Sequence, residues 1–254
     1  MRMVIAIGGH ALAPQGAPRA DRESLSGVAD AARVLAPLIR EHEVVITHGI
    51  GSERTFGTRL ATALRRAVPG LVTASLKPSL LGDVATLVEA GLMVIAPTGS
   101  DLAAVALATA VEADALMLLT EVDAVYRDFG TPNATPLRRL TTAQAEAFLA
   151  GGTVSPPSMA PKLEAALRFA STGGFAVIAA LDDAQAALHR AAGTRVVLAE
   201  EPVRLRSGTP SPKQGSCAAG SYRFGGSPPA GTDAGSSSPM SRRNGGYSSR
   251  MSPA

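Results

Sequence analysis

Up to Pro202 the chain alternates between short runs of aliphatic and β-branched residues and longer stretches with apolar positions every three or four residues. The short runs predict strands over Met3–Ile7, Val44–Thr47, Val72–Ser75, Met93–Ala96, Leu116–Leu119, Ala176–Ala180 and Arg195–Leu198. The longer stretches predict helices over Leu25–Glu41, Glu53–Ala67, Gly82–Ala90, Leu102–Glu112, Thr142–Ala150, Lys162–Ser171 and Asp182–Arg190. The early strands are almost unbroken in apolar character, as strands covered on both faces are. Strand and helix in alternation predict an α/β protein, a three-layer α/β/α sandwich around a mostly parallel open sheet. Ligands of such sheets sit at the carboxyl ends of the strands. Gly8-Gly9, Gly49-Ile50-Gly51 and Thr120–Asp123 all fall at such ends, which points to one shared cleft.

The pattern stops near Val203. From Ser207 onward the sequence is rich in Gly, Ser, Pro and Arg and almost free of aliphatic residues. Such a segment cannot bury enough apolar surface to offset the cost of ordering it. The expected organisation is one domain over residues 1–202 and a disordered tail over residues 203–254.

This division changes the meaning of the charge. The 254 residues include 24 basic and 21 acidic side chains, and the isoelectric point is about 9.4. Seven of the basic residues, but only Asp233 among the acidic ones, lie from Val203 onward. The domain itself keeps 17 basic and 20 acidic residues. Basic charge confined to a tail gives no support to a nucleic-acid-binding fold. The single cysteine, Cys217, excludes an intrachain disulfide and a cysteine metal site. The chain opens directly on a predicted strand, and no apolar run approaches the length of a membrane span, so a cytoplasmic enzyme is expected. Only three lysines occur, Lys77, Lys162 and Lys213. A site that needs several lysines for phosphoryl transfer has few to recruit.

One lysine stands in a distinctive place. The stretch GGTVSPPSMAPKLEAALRFA, Gly151 to Ala170, runs from a Gly/Pro/Ser-rich loop straight into a helical pattern. Pro161 suits the first turn of a helix, where its missing N–H costs nothing. A helix start presents free N–H groups and a partial positive charge. Lys162 adds a mobile cation there, a combination suited to holding a transferring phosphate.

The loop Ser158-Met159-Ala160-Pro161-Lys162 resembles the S-M-x-P-K loop of carbamate kinases, in the amino acid kinase family. The similarity extends to Ala113–Tyr126, to Phe129–Asn133, Pro136-Leu137 and Leu140-Thr141, to Ile5–Leu12 and to Val45–Gly51, all in family order. It covers most of residues 3 to 197. The resemblance implies ATP-dependent, reversible phosphoryl transfer to carbamate or a similar small carboxyl acceptor, with Mg²⁺. It leaves room for a homodimer. Lys162 would hold the transferring phosphate and Asp101 would orient it. Gly8, Gly9, His10, Gly49 and Gly51 would bound the acceptor, and Asp123, Tyr126, Met159 and Lys162 the nucleotide.

Several departures fall on the chemistry. His10 replaces the asparagine of the first glycine turn, and Ile50 that of the second. Imidazole can still donate a hydrogen bond to an anion, whereas isoleucine offers only its backbone N–H. Where the family carries I-D-K-D, this chain has Gly99-Ser100-Asp101, so Ser100 stands at the lysine position. Asp101 matches the family's second aspartate and also reads as a helix N-cap; both readings can hold, since an N-cap aspartate still faces the cleft. His48 reads either as a buried strand-end residue or as a ligand group. The family's protruding subdomain and its lysine have no counterpart, because only Arg54–Leu71 joins the second turn to the next strand. Lys77 resembles the lysine of a short S-P-K-P stretch after that subdomain, or is an ordinary surface lysine. A catalytically degenerate nucleotide-binding or regulatory protein on the same fold is the alternative.

Overall fold

A computed structural model describes residues 1–8, 11–12, 25–49, 53–76, 82–152, 154 and 156–198. The proposed tail, Gly9, His10, Ile50, Gly51 and Lys77 lie outside the described residues.

The strands are β1 (Arg2–Ile7), β2 (Glu43–His48), β3 (Thr73–Ser75), β4 (Met93–Pro97), β5 (Ala115–Thr120), β6 (Tyr126–Arg127), β7 (Thr135–Pro136), β8 (Arg139–Thr141), β9 (Phe175–Ala180) and β10 (Thr194–Val197). The helices are α1 (Leu25–Glu41), α2 (Glu53–Ala67), α3 (Val84–Glu89), α4 (Asp101–Ala110), α5 (Thr142–Ala150), α6 (Met159–Ala170) and α7 (Ala184–Leu188). Eight strands form one sheet in the order β3-β4-β2-β1-β5-β9-β10-β8, and β6 and β7 form a separate antiparallel ribbon. All neighbours in the large sheet are parallel except β9 and β10. This is the α/β sandwich expected from the alternating periods.

The apolar strands divide their side chains between two cores, because successive residues of a strand point to opposite faces. Met3, Ile5 and Ile7 of β1 pack with residues of α1, α2 and α7. Val4 and Ala6 pack on the other face with residues of α3, α4, α5 and α6. A strand with helices on both sides has no polar face to show. That is why the alternation usual in half-buried strands is missing from the sequence.

Some boundaries differ from expectation for local reasons. Helix α6 starts at Met159, so Pro161 is its third residue and Lys162 its fourth. A proline is tolerated there because the first N–H groups of a helix have no intrahelical acceptor. The ribbon β6–β7 and strand β8 were not predicted, being only two or three residues long. Strand β8 leads into α5 through a capping box. Thr141 Oγ1 accepts from the Gln144 N–H at 3.2 Å, while the Gln144 side chain accepts from the Thr141 N–H at 2.9 Å. The segment between β2 and β3 is one helix, α2, and a turn through Gly70 at φ +83°. Among the described residues no helix is long and apolar enough to cross a membrane.

Candidate active site

Parallel register brings the carboxyl ends of the central strands level. Ile7 pairs with His48 and with Leu119, and His48 pairs with Pro97. The chain leaves these strands as Gly8, Gly49 and Thr98-Gly99, which line a cleft of about 130 Å³ with Ala6, Ile7, Thr47, Ser100, Asp101 and Lys162. The glycines let backbone approach backbone. A Cβ on Gly8 would stand 2.9 Å from the Leu119 carbonyl and 3.5 Å from Lys162 Nζ. Gly99 holds φ +74°, the left-handed conformation that glycine adopts without strain.

Helices α4 and α6 supply the charges. Lys162 Nζ lies 3.0 Å from Asp101 Oδ2 and 3.3 Å from Oδ1. The two side chains are only 12% and 18% exposed. A pair so shielded is screened far less than a surface ion pair. It holds the ammonium at the mouth of the glycine turns. Asp101 is not the helix N-cap. Ser100 takes that place, with its Oγ accepting from the Ala103 N–H at 3.1 Å, and Asp101 is the first helical residue. The cap role therefore falls on the residue at the family's lysine position, and Asp101 is left free to pair with Lys162.

The backbone donors near the cleft are partly committed. Gly8 donates its N–H to the Leu119 carbonyl at 3.0 Å, and Thr98 donates to the His48 carbonyl at 3.2 Å. Lys162 is the one basic side chain among the described residues lining the cleft. His48 is buried and turned towards α2. Its ring meets Phe56 edge-on with centroids 4.9 Å apart, and its Nε2 would lie 3.1 Å from a Cβ on Gly57. This placement fits the strand-end reading of His48.

The residues expected near the nucleotide form a second group. Tyr126 donates its hydroxyl to Asp123 Oδ1 at 2.8 Å, and Arg138 Nη1 lies 3.6 Å from Asp123 Oδ2. The hydrogen bond to the Asp123 carboxylate, then desolvation, raises the Tyr126 pKa above its usual value. Thr194 Oγ1 accepts the Val125 N–H at 2.8 Å in a buried bond, pinning this loop to β10. Met159, 1% exposed, packs in the hydrophobic cluster on the α6 face of the sheet. Arg138, Thr194, Thr47 and Thr98 were missed from sequence. Only Thr98 carried a signal there, as a non-glycine residue in a shortened glycine turn. Gly9, His10 and Gly51 lie outside the described residues.

No group of three or more His, Cys, Asp and Glu side chains able to hold a metal exists among the described residues. Mg²⁺ commonly binds through one or two carboxylates together with substrate phosphates. Asp101 is the one carboxylate lining the cleft among the described residues.

Residues 66–179 match the amino acid kinase family. Carbamate kinase of Halobacterium salinarum is 48% identical over 109 residues, covering 42% of this chain and 36% of that protein. Carbamate kinase of Lentilactobacillus hilgardii is 29% identical over 186 residues, covering 63% of this chain and 56% of that protein. The chain thus spans about a third of the length of the first of these relatives and just over half of the second. The structure of Giardia lamblia carbamate kinase bound to AMP-PNP superimposes with a TM-score of 0.65 at 20% identity, covering 78% of this chain and 98% of that one. Uridylate kinase from Archaeoglobus fulgidus gives a TM-score of 0.54 at 18% identity, covering 78% and 100%. At these identities the structures speak for the fold alone. Residues 66–179 are thus similar to the amino acid kinase family, and the fold is shared with its solved structures. The relatives that the matched segments resemble are carbamate kinases.

Proposed function

We propose that the protein is a carbamate kinase-like phosphotransferase that moves a phosphoryl group reversibly between ATP and carbamate or a similar small carboxyl acceptor. The observation that carries this reading is the shielded Lys162–Asp101 pair facing the glycine turns of β1, β2 and β4. In-line phosphoryl transfer asks the protein for positioning and charge neutralisation, not for covalent chemistry. Lys162 would neutralise the equatorial oxygens of the transferring group. Asp101 would hold that ammonium in place, and the glycine turns would let acceptor and phosphate approach the backbone. Mg²⁺, carried with the nucleotide, would supply further charge neutralisation, with Asp101 as the cleft carboxylate beside it. On the nucleotide side, Asp123 and Tyr126 would contact the base or ribose from their loop.

Turnover is expected to be slow. Ser100 serves as a helix cap where the family carries lysine, and no second basic side chain lines the cleft among the described residues. Each missing preorganised charge costs on the order of 10² to 10³ in rate. The same observation favours a second reading, a nucleotide-binding or regulatory protein without turnover. Formation of ATP from carbamoyl phosphate and ADP tests both. The first reading predicts a rate at least about a hundredfold below that of a full-length carbamate kinase, a deficit set by the missing charge, and abolished in Lys162→Ala. ADP binding without turnover supports the second reading. Absence of ADP binding at millimolar concentration sinks both.

A further inference from the structure

The hydroxyls of Thr47 and Thr98 lie 2.8 Å apart in the wall of the cleft, at the carboxyl ends of β2 and β4. Each hydroxyl has one hydrogen to donate and two lone pairs. One bond between them uses one hydrogen and leaves the other. Among the described residues, neither hydroxyl has a further partner. Thr47 is 1% exposed, whereas Thr98 is half-buried and borders the open cleft. Either hydroxyl could be the donor, and because a hydroxyl hydrogen buried without an acceptor is costly, the deeper burial of Thr47 favours Thr47 donating to Thr98. Thr98 then keeps its hydrogen for whatever occupies the cleft.

Among the described residues, other donors near the cleft are already committed. In the sequence, Ile50 brings no side-chain amide to the second glycine turn. The Gly8 and Thr98 N–H groups are bound to carbonyls, and Ser100 Oγ caps α4. The cleft of about 130 Å³ is open to solvent on one side and has room for a small acyl phosphate. We propose that Thr98, polarised by Thr47, is the residue that recognises the acceptor, donating its hydroxyl to the carbonyl oxygen of a small acyl phosphate whose phosphoryl end Lys162 holds. The proposal rests on the phosphotransferase reading above and assigns its acceptor specificity to a residue of this chain's own shortened turn.

The test is calorimetric titration of the full chain with carbamoyl phosphate and, separately, with inorganic phosphate. ADP is omitted so that no transfer occurs. Thr98→Val keeps the shape and removes the donor. It is expected to weaken carbamoyl phosphate binding about five- to tenfold, the upper scale of one hydrogen bond to a neutral carbonyl, and to change phosphate binding less than about twofold. Thr98→Ser is expected to bring carbamoyl phosphate binding back to within about threefold of the native chain. Unchanged carbamoyl phosphate affinity in Thr98→Val, or an equal loss for both probes, overturns the proposal while leaving the phosphotransferase reading intact. If the native chain binds ADP but not carbamoyl phosphate, the acceptor reading itself fails and this proposal with it. Thermal melting checks that Thr98→Val is folded. Should it not be, Thr98→Ala is held to the same two outcomes.

Discussion

Replacing Gly8 by alanine tests the packing of the site without assuming any activity. The new Cβ would stand 2.9 Å from the Leu119 carbonyl oxygen, where ordinary contact begins at 3.4 Å, so about half an ångström of overlap must be relieved. That oxygen belongs to β5, which is paired on both sides, to β1 and to β9. It cannot swing aside as a side chain would. It is also the acceptor of the Gly8 N–H at 3.0 Å, so moving Gly8 away weakens that bond. Overpacking a rigid site costs about 1–3 kcal/mol, and a weakened hydrogen bond adds up to about 1 kcal/mol. A loss of about 2–3 kcal/mol lowers Tm by roughly 4–12 °C in a domain of this size. The Cβ would also lie 3.5 Å from Lys162 Nζ, so the ammonium is expected to shift with the strand end. Urea and thermal unfolding followed by circular dichroism read the stability. Phosphate titration reads the displaced lysine. A Gly8→Ala chain as stable as the native one, within about 0.5 kcal/mol of the usual scatter for surface changes, would refute the close approach of β1 and β5 at this point.

Three further outcomes are expected. Lys162→Met should lose phosphate affinity by at least about tenfold, since it removes the one cation lining the cleft among the described residues, and a double-mutant cycle with Asp101→Asn should show coupling; simple additivity would mean that the pair does not act as a unit. Thr141→Ala should cost about 1 kcal/mol and lower Tm by roughly 2–4 °C through loss of the capping box of α5; an unchanged melting curve would contradict the cap. Spectrophotometric titration should resolve Tyr126 above the usual tyrosine value of about 10, with Asp123→Asn returning it towards that value. A raised folded pKa means that the associated stability is fully present below about pH 10 and is lost as pH rises through the folded value, so alkaline unfolding should begin at lower pH in Asp123→Asn than in the native chain.

The order of strands and helices was legible in the sequence because two different periods, and the glycines that end them, are local properties. Continuous apolar runs such as Met3–Ile7 announced strands buried on both faces, and the periodic stretches announced their covering helices. The glycine turns and Lys162 were marked as one cleft from the rule that parallel sheets bind ligands at the strands' carboxyl ends. What the sequence could not decide depends on contacts between residues far apart in the chain. Asp101 and Lys162 meet only because α4 and α6 pack together on one face of the sheet. Ser100 and Asp101 are adjacent, and either could have capped α4; the fold put Ser100 at the cap and turned Asp101 to the lysine. His48 follows a strand beside a glycine and looked available to a ligand, yet α2 lies over it and draws its ring against Phe56. Met159 belongs to the loop motif but is buried once α6 docks. The Thr47–Thr98 pair spans two strands whose neighbourhood is set by sheet order, not by chain order, because β4 inserts between β3 and β2. Periodicity reports which face of an element is buried. Only the packing of those faces decides which polar ends are brought within bonding distance.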